Sequence, residues 1–207
     1  MCAALAGCTV LPERAQINLY QLPPSLQTPS SQMPSSQTSS SASEQFSGLR
    51  LARPASSDAL GGRLLLMMAG DNSYQAYPDV RWTAPVPVLW RDWLLDALWR
   101  DGRITNLSTD SDRLQASVEL GGILRGLHTA YREGRPEAVI SYDARLVDIA
   151  SRQIIASRRF EFREPLSGTE ASEAVNALGK AADRLAAELI DWLLERLNEL
   201  DFERGHR

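Results

Sequence analysis

The chain of 207 residues contains few of the residue types that catalysis and metal binding most often use. It has two cysteines, Cys2 and Cys8, and two histidines, His128 and His206, which lie far apart. Beyond residue 8 there is therefore no disulfide or thiolate, and a zinc site built from cysteine and histidine is excluded. The sequence also lacks the GxSxG, HExxH and phosphate-binding glycine motifs, which argues against the corresponding enzyme classes.

Long apolar runs and an excess of basic residues are also absent. The longest apolar run covers residues 64–69, far fewer than the roughly 20 residues that span a bilayer. The net charge of -4 argues against nucleic-acid binding, which requires a basic patch or stripe. A hydrophobic content of 43% is sufficient for a core, and the length fits one domain with tails.

The most informative motif lies at the start of the chain. Residues 5–8 read Leu-Ala-Gly-Cys, the pattern of a bacterial lipobox, in which the cysteine is acylated after cleavage. Only four residues precede it and none is basic, whereas a secretory signal has a basic region and about 7–15 apolar residues. We therefore interpret residues 1–7 as a truncated lipoprotein signal peptide. Cys8 then begins the mature protein and carries a diacylglycerol and an N-acyl chain, and no other cofactor is expected. An ordinary N-terminus is the alternative.

A short strand and a low-complexity segment follow. Residues 8–23 are expected to form the mature N-terminus, with a strand that begins near Ile17. Residues 24–45 consist largely of Ser, Gln, Pro and Thr and are expected to be disordered, because they cannot bury enough apolar surface to offset the entropy of ordering. Two roles stay open for this segment, a spacer behind an acylated cysteine or an insertion in a loop between two strands.

Residues 46–202 are predicted to form one α+β domain, and residues 203–207 a frayed tail. In its first half, proline and glycine signals separate short apolar runs from an amphipathic helix. The predicted elements there are strands at 49–53 and 63–69, a turn at 71–73 and a helix at 88–100.

Three further strands alternate apolar and polar residues, which indicates an antiparallel meander with one solvent-exposed face. We expect them near residues 114–124, 138–146 and 154–162, with a bulge or bend at Gly121 and Gly122.

A long helix is predicted to close the domain. Ser167 and Glu170 fit a capping box, and the apolar stripe behind them continues for about 30 residues. Arg184 and Glu188 stand four residues apart on its outer face. The predicted fold is α+β, an antiparallel sheet with two helices packed on one face.

Candidate functional groups are sparse, and the tryptophans are the most informative of them. Core packing accounts for Trp82, Trp90 and Trp93. Trp99 lies off the apolar stripe of the predicted helix and is therefore a candidate for contact with a partner or with lipid. We interpret His128 as a surface residue or one with satisfied hydrogen bonds. We interpret the carboxylates scattered on predicted turns and exposed strand faces as solvated charges: Asp110, Asp112, Asp143, Asp148, Glu161 and Glu164.

Two short motifs point to a family. Residues 20–23 read Tyr-Gln-Leu-Pro, and Tyr77, Arg81 and Trp82 form a Tyr-x-x-x-Arg-Trp segment before a Leu-rich helix. With the lipobox, the alternating strands and the long C-terminal helix, the chain resembles the ABC-type transport auxiliary lipoproteins, the group that contains PqiC (YmbA). The truncated signal and the Ser/Gln-rich insertion depart from that pattern.

The residues of the second motif also have a structural interpretation. We expect Arg81 to stack on an indole or to reach a carboxylate, and Trp82 to fill the space under the helix. Direct contact of this segment with a partner is the alternative.

The resemblance implies a non-enzymatic lipoprotein subunit of an MCE-type lipid transport system. The implied partners are an ABC permease and ATPase and a periplasmic MCE-domain protein, and a homo-oligomer is plausible. Thr9, where an aspartate commonly retains lipoproteins at the inner membrane, favours lipid anchoring to the periplasmic face of the outer membrane. A pilotin-like or assembly-factor lipoprotein is the alternative function, and a periplasmic hydrolase is the third.

Overall fold

The computed structural model describes residues 16–26 and 48–205. Cys8, the predicted signal peptide, most of the Ser/Gln-rich segment and the last two residues lie outside the described residues. The strands are β1 (Asn18–Tyr20), β2 (Leu49–Leu51), β3 (Ala55–Ser56), β4 (Leu64–Met68), β5 (Tyr74–Trp82), β6 (Leu107–Thr109), β7 (Val118–Arg132), β8 (Arg135–Asp148) and β9 (Gln153–Pro165). The helices are α1 (Asp58–Gly61), α2 (Val86–Asp101) and α3 (Ala171–Gly205).

The α+β class and the long C-terminal helix are confirmed, but the sheet is mixed rather than purely antiparallel. Strands β7, β8 and β9 form the predicted antiparallel meander. The other edge of β7 pairs in parallel with the short strands β2, β3 and β4. Parallel pairing requires a crossover connection, and the chain supplies one through α2 before β7 begins. Period-two alternation identifies strands but does not fix the direction in which they pair.

Helices α2 and α3 pack on the same face of the sheet, as predicted. Trp90 of α2 lies edge-on to Tyr142 of β8, and Trp192 of α3 lies edge-on to Phe160 of β9, each pair with ring centroids 5.8 Å apart. Tyr142 and Phe160 are cross-strand partners, so their side chains share one face. The predicted stripe of α3 is buried throughout: Ala174, Leu178, Ala181, Leu185, Leu189, Trp192 and Leu193.

The first meander strand begins at Val118, four residues later than predicted. Asp112 accepts a hydrogen bond of 2.7 Å from the backbone N–H of Thr109, and Arg113 adopts a left-handed φ of 57°. This turn keeps Leu114 out of the sheet, and its side chain is exposed.

Register shifts also move residues from their predicted positions. The irregularity in β7 lies between Leu124 and Gly126, a few residues beyond the predicted glycine pair. A second shift in the β8–β9 pairing leaves Ile154 exposed, although its pattern predicted an inward side chain. A one-residue slip reverses the face to which every following side chain points.

Helix α3 differs from its prediction in two local contacts. The helix begins at Ala171, and the hydroxyl of Ser167 bonds to the side chain of Glu173, whereas the predicted capping box paired Ser167 with Glu170. Arg184 and Glu188 bond to β9, through Glu164 and Arg158 respectively. Within the described part of the chain, no helix is both long enough and apolar enough to cross a membrane.

Candidate functional site

Tyr77 lies in the middle of β5 and is partly buried. Its hydroxyl oxygen is 3.1 Å from Thr129 Oγ1 on β7, in a hydrogen bond that bridges two strands separated by β4. Burial raises the pKa of Tyr77, so the phenol remains protonated at neutral pH. The ring lines a groove of about 320 Å³ whose walls also include Met67, Tyr131 and Leu166. The first residue of the Tyr-x-x-x-Arg-Trp segment thus links strands and borders a groove of mixed polar and apolar lining.

Arg81 and Trp82 point to opposite faces of the sheet, because they are consecutive residues of one strand. Trp82 is fully buried, and its Nε1 has no hydrogen-bond partner among the described residues. The Nη1 atom of Arg81 donates a hydrogen bond of 2.7 Å to the carbonyl oxygen of Val80. The sequence predicted that Arg81 stacks on an indole or reaches a carboxylate. Among the described residues, the guanidinium groups that lie over aromatic rings are those of Arg158, over Phe160, and Arg184, over Phe162.

Trp99 is the most exposed tryptophan of the described residues. It lies near the end of α2, and 63% of its surface is accessible. Asp96 and Arg100 form an ion pair of 2.6 Å on the same helix.

The Tyr-Gln-Leu-Pro motif forms part of a segment that we call the N-terminal strap, residues 18–26. Trp93 Nε1 donates a hydrogen bond of 2.7 Å to the carbonyl oxygen of Pro23. Asp183 Oδ1 accepts hydrogen bonds from the hydroxyl of Ser25 and from the backbone N–H of Leu26, at 3.0 and 2.9 Å. The strap therefore bonds to both long helices.

The sequence motifs do not reveal which residues hold the strap. Gly179 was the available signal, because glycine inside a helix is unfavourable and often marks a close approach of another segment. A Cβ atom at Gly179 would lie 2.7 Å from Pro23 Cγ. Nothing local in the sequence connects Asp183 with Ser25, since 158 residues separate them.

The outer face of the meander carries a row of ion pairs rather than isolated carboxylates. Asp143 of β8 accepts hydrogen bonds from Arg159 of β9 and from Arg125 of β7. The bond from Arg159, with that from Arg125, lowers the pKa of Asp143 to about 2. At neighbouring cross-strand positions on the same face, Arg163 of β9 forms ion pairs with Glu137 of β8 and Glu161 of β9. These opposite charges neutralise one another across three strands.

His128 is buried on the same outer face, although the sequence interpretation placed it at the surface or in a satisfied hydrogen bond. Only 5% of its surface is accessible, and its Nδ1 has no hydrogen-bond partner within the described chain. Burial, with the nearby charge of Arg163, lowers its pKa to about 4, so the imidazole is neutral at pH 7. The absence of a side chain at Gly126 leaves room for the ring, since a Cβ there would lie 3.0 Å from His128 Cε1.

The described residues do not bring the sequence-predicted site residues into one cluster. Tyr77, Arg81 and Trp82 share β5, Trp99 lies on α2, and Cys8 is outside the described residues. In the described ranges, no group of three or more His, Cys, Asp or Glu side chains could hold a metal ion. The geometry is that of an α+β domain with separate surface features and a fastened N-terminal segment.

Comparison with known proteins identifies the family. The sequence model of the ABC-type transport auxiliary lipoprotein component family matches residues 25–190, and the chain belongs to this family.

Individual relatives are distant. An uncharacterized protein of Bradyrhizobium diazoefficiens is 32% identical over 130 residues, which are 63% of this chain and 34% of the relative, so the chain spans about a third of its length. Among solved structures, protein XCC0632 from Xanthomonas campestris has a TM-score of 0.73 at 19% identity, over 90% of this chain and 99% of that one. A second structure, of an uncharacterized protein, has a TM-score of 0.63 at 18% identity, over 86% and 99% of the two chains. These structures share the fold.

Proposed function

We propose that this chain is a non-enzymatic, lipid-anchored subunit of an ABC-type lipid transport system. Its partners are the permease and ATPase of that system and an MCE-domain protein, which it docks at the periplasmic face of the outer membrane. The observation that carries the proposal is membership of the auxiliary lipoprotein family over residues 25–190. Anchoring is through acyl chains on Cys8, whose buried methylenes stabilise membrane attachment by about 0.8 kcal/mol each.

Acylation can be tested with the two cysteines of the chain. The protein is expressed from its native gene in the presence of radiolabelled palmitate. We expect the protein to take up label, to lose it in Cys8→Ala and to retain it in the matched variant Cys2→Ala. Label that survives Cys8→Ala would contradict acylation at this residue.

Docking can be tested at Trp99, the exposed indole of α2. Because truncation of a central aromatic contact weakens binding strongly, we expect Trp99→Ala to reduce co-purification of the MCE protein about tenfold or more. Leu114→Ala is the control, since Leu114 is exposed to a similar degree, at 59% against 63%, but belongs to the turn before β7. Equal recovery of the MCE protein with both variants would exclude Trp99 from the interface.

The identity of the co-purified proteins separates the two candidate functions. Recovery of permease, ATPase and MCE protein under mild detergent supports the transport subunit. Recovery of a secretin or an outer-membrane barrel protein in their place would support the pilotin-like alternative.

A further inference from the structure

The N-terminal strap is fastened to the domain at several points along its length. Its first three residues, β1, pair in parallel with Val80–Trp82 of β5. The carbonyl oxygen of Tyr20 then accepts a hydrogen bond of 2.9 Å from the backbone N–H of Thr83. Leu22 is buried in the main core, with 5% of its surface accessible. The strap is therefore an integral part of the fold.

The contacts of Pro23 explain why the strap follows one path over the helices. The Pro23 ring lies against the backbone of α3 at Gly179, where a Cβ would stand 2.7 Å from Cγ and 2.8 Å from Cδ. Its carbonyl oxygen accepts the hydrogen bond from Trp93 of α2. Any larger residue at 179 would occupy the space that the ring fills.

The order of segments along the chain gives this attachment a consequence for the membrane anchor. Cys8 precedes the strap, and the Ser/Gln-rich residues 27–45 follow it. A tether reaches from its anchor to the first residue that the fold holds, which here is Asn18. Residues 27–45 connect two parts of the same domain, the strap and β2.

We propose that the strap fixes the length of the membrane tether at residues 9–17, so that residues 27–45, which follow the strap in the chain, do not set the distance from the bilayer. This inference rests on the proposed acylation of Cys8. With the strap docked, the chain between Cys8 and Asn18 spans at most about 35 Å when fully extended. With the strap released, the tether would extend to Leu49 and span at most about 140 Å. The strap thus keeps the domain near the membrane that carries its lipid.

The tether length can be measured by energy transfer on acylated full-length protein in vesicles. A donor dye is attached through Gln153→Cys, an exposed position at the start of β9, and the acceptor is a rhodamine lipid in phosphatidylethanolamine–phosphatidylglycerol vesicles. Inserting ten Gly/Ser residues between Ala15 and Gln16 should lower the energy transfer, because the tether becomes longer. Removing residues 31–40 should leave transfer unchanged, because they lie beyond the strap.

When the strap is released, energy transfer should become sensitive to the removal of residues 31–40, because these residues then belong to the tether. The double variant Leu22→Asp/Gly179→Leu places a charge at a buried core position and a side chain where Pro23 lies. Three-residue β1 is too short to hold the strap by itself, so we expect transfer to fall about twofold as the tether lengthens. In this background the removal of residues 31–40 should raise transfer again. Lys180→Leu is the matched control, because it adds the same side chain at the next, exposed position of α3. If this variant does not fold, Leu22→Asp/Trp93→Phe/Asp183→Ala removes the buried Leu22 contact and the strap hydrogen bonds without adding volume at Gly179.

The outcomes distinguish the strap from the acylation on which it depends. Protein that takes up no palmitate would overturn the proposed anchor and the tether together. Acylated protein whose transfer changes when residues 31–40 are removed from the wild-type background would overturn the strap proposal alone. The strap proposal is supported if energy transfer in the wild-type background changes with the insertion before Gln16 but not with the removal of residues 31–40. After release of the strap, the removal of residues 31–40 should also change the transfer.

Discussion

The ring of His128 lies edge-on to that of Tyr74, with the ring centroids 5.4 Å apart and an interplanar angle of 84°. This contact encloses an imidazole on the outer face of the sheet, whereas the sequence predicted a surface residue or one with satisfied hydrogen bonds. The surrounding charges are Arg163 and Glu161 of β9, and burial is the larger influence on the pKa.

Stability should therefore depend on the protonation of His128. Its pKa is lowered to about 4 in the folded protein, against about 6.5 in the unfolded chain, so the unfolded state alone binds the proton between these values. Stability should fall as the pH decreases from about 6.5 to 4, by at most about 3 kcal/mol.

The measurement is urea unfolding at pH 7 and pH 4.5. His128→Phe should flatten the pH dependence in this range, whereas His206→Gln should keep the wild-type slope. An unchanged slope in His128→Phe would show that other groups cause the acid sensitivity.

Gly122 should be essential for pairing of β7 with β8. Its φ is 136°, and a Cβ there would lie 1.9 Å from the carbonyl oxygen of Asp143. Gly122→Ala should lower the free energy of unfolding by more than about 3 kcal/mol, because it combines a backbone clash with a strained φ. Gly62→Ala, where nothing lies within 4 Å, is the control and should change stability little. Similar denaturation midpoints for the two variants would contradict this assignment.

The hydroxyl of Tyr77 should contribute to stability through Thr129. Thr129 is 1% exposed, so Tyr77→Phe leaves its hydroxyl without this partner and should cost about 1–2 kcal/mol. Tyr131→Phe removes a hydroxyl from an exposed residue that lines the same groove and should have no measurable effect. Chemical denaturation of both variants tests the difference. If Tyr77→Phe is also neutral, the motif tyrosine is not required for strand bridging.

Ion pairing across the α3–β9 contact should appear in double-mutant cycles. Arg158 Nη2 and Glu188 Oε2 are 3.1 Å apart, and for such an exposed pair we expect a coupling of about 0.2–1 kcal/mol. The Arg184–Glu188 cycle should give a coupling near zero, because Arg184 pairs with Glu164 instead. A larger coupling within the helix than across the contact would favour the i,i+4 pair that the sequence suggested.

Local periodicity was sufficient for the elements that bury one face. The spacing of apolar residues predicted the buried stripe of α3, because a helix returns to the same face every 3.6 residues. The same argument placed Trp90 and Trp93 in the core and left Trp99 outside the stripe, where it is exposed. Alternation identified β7, β8 and β9 as neighbours because the turns between them are short.

The direction of strand pairing and the burial of His128 depend on contacts between distant residues, which local periodicity does not reveal. Parallel pairing of β2 and β4 with β7 joins segments separated by α2, and alternation is the same for either strand direction. His128 became buried because a register shift and the missing side chain of Gly126 gave it a position against Tyr74.

By itself, the sequence determined the α+β class, the long C-terminal helix and the resemblance to the auxiliary lipoprotein family. Each of these depends on the local spacing of residues or on short motifs. Only the tertiary structure decided where the N-terminal segment is held. Pro23 meets Trp93 and Gly179, and Ser25 meets Asp183, across 70 residues or more of intervening chain. Such contacts form only when α2 and α3 already lie side by side on the sheet, and no local pattern encodes that arrangement.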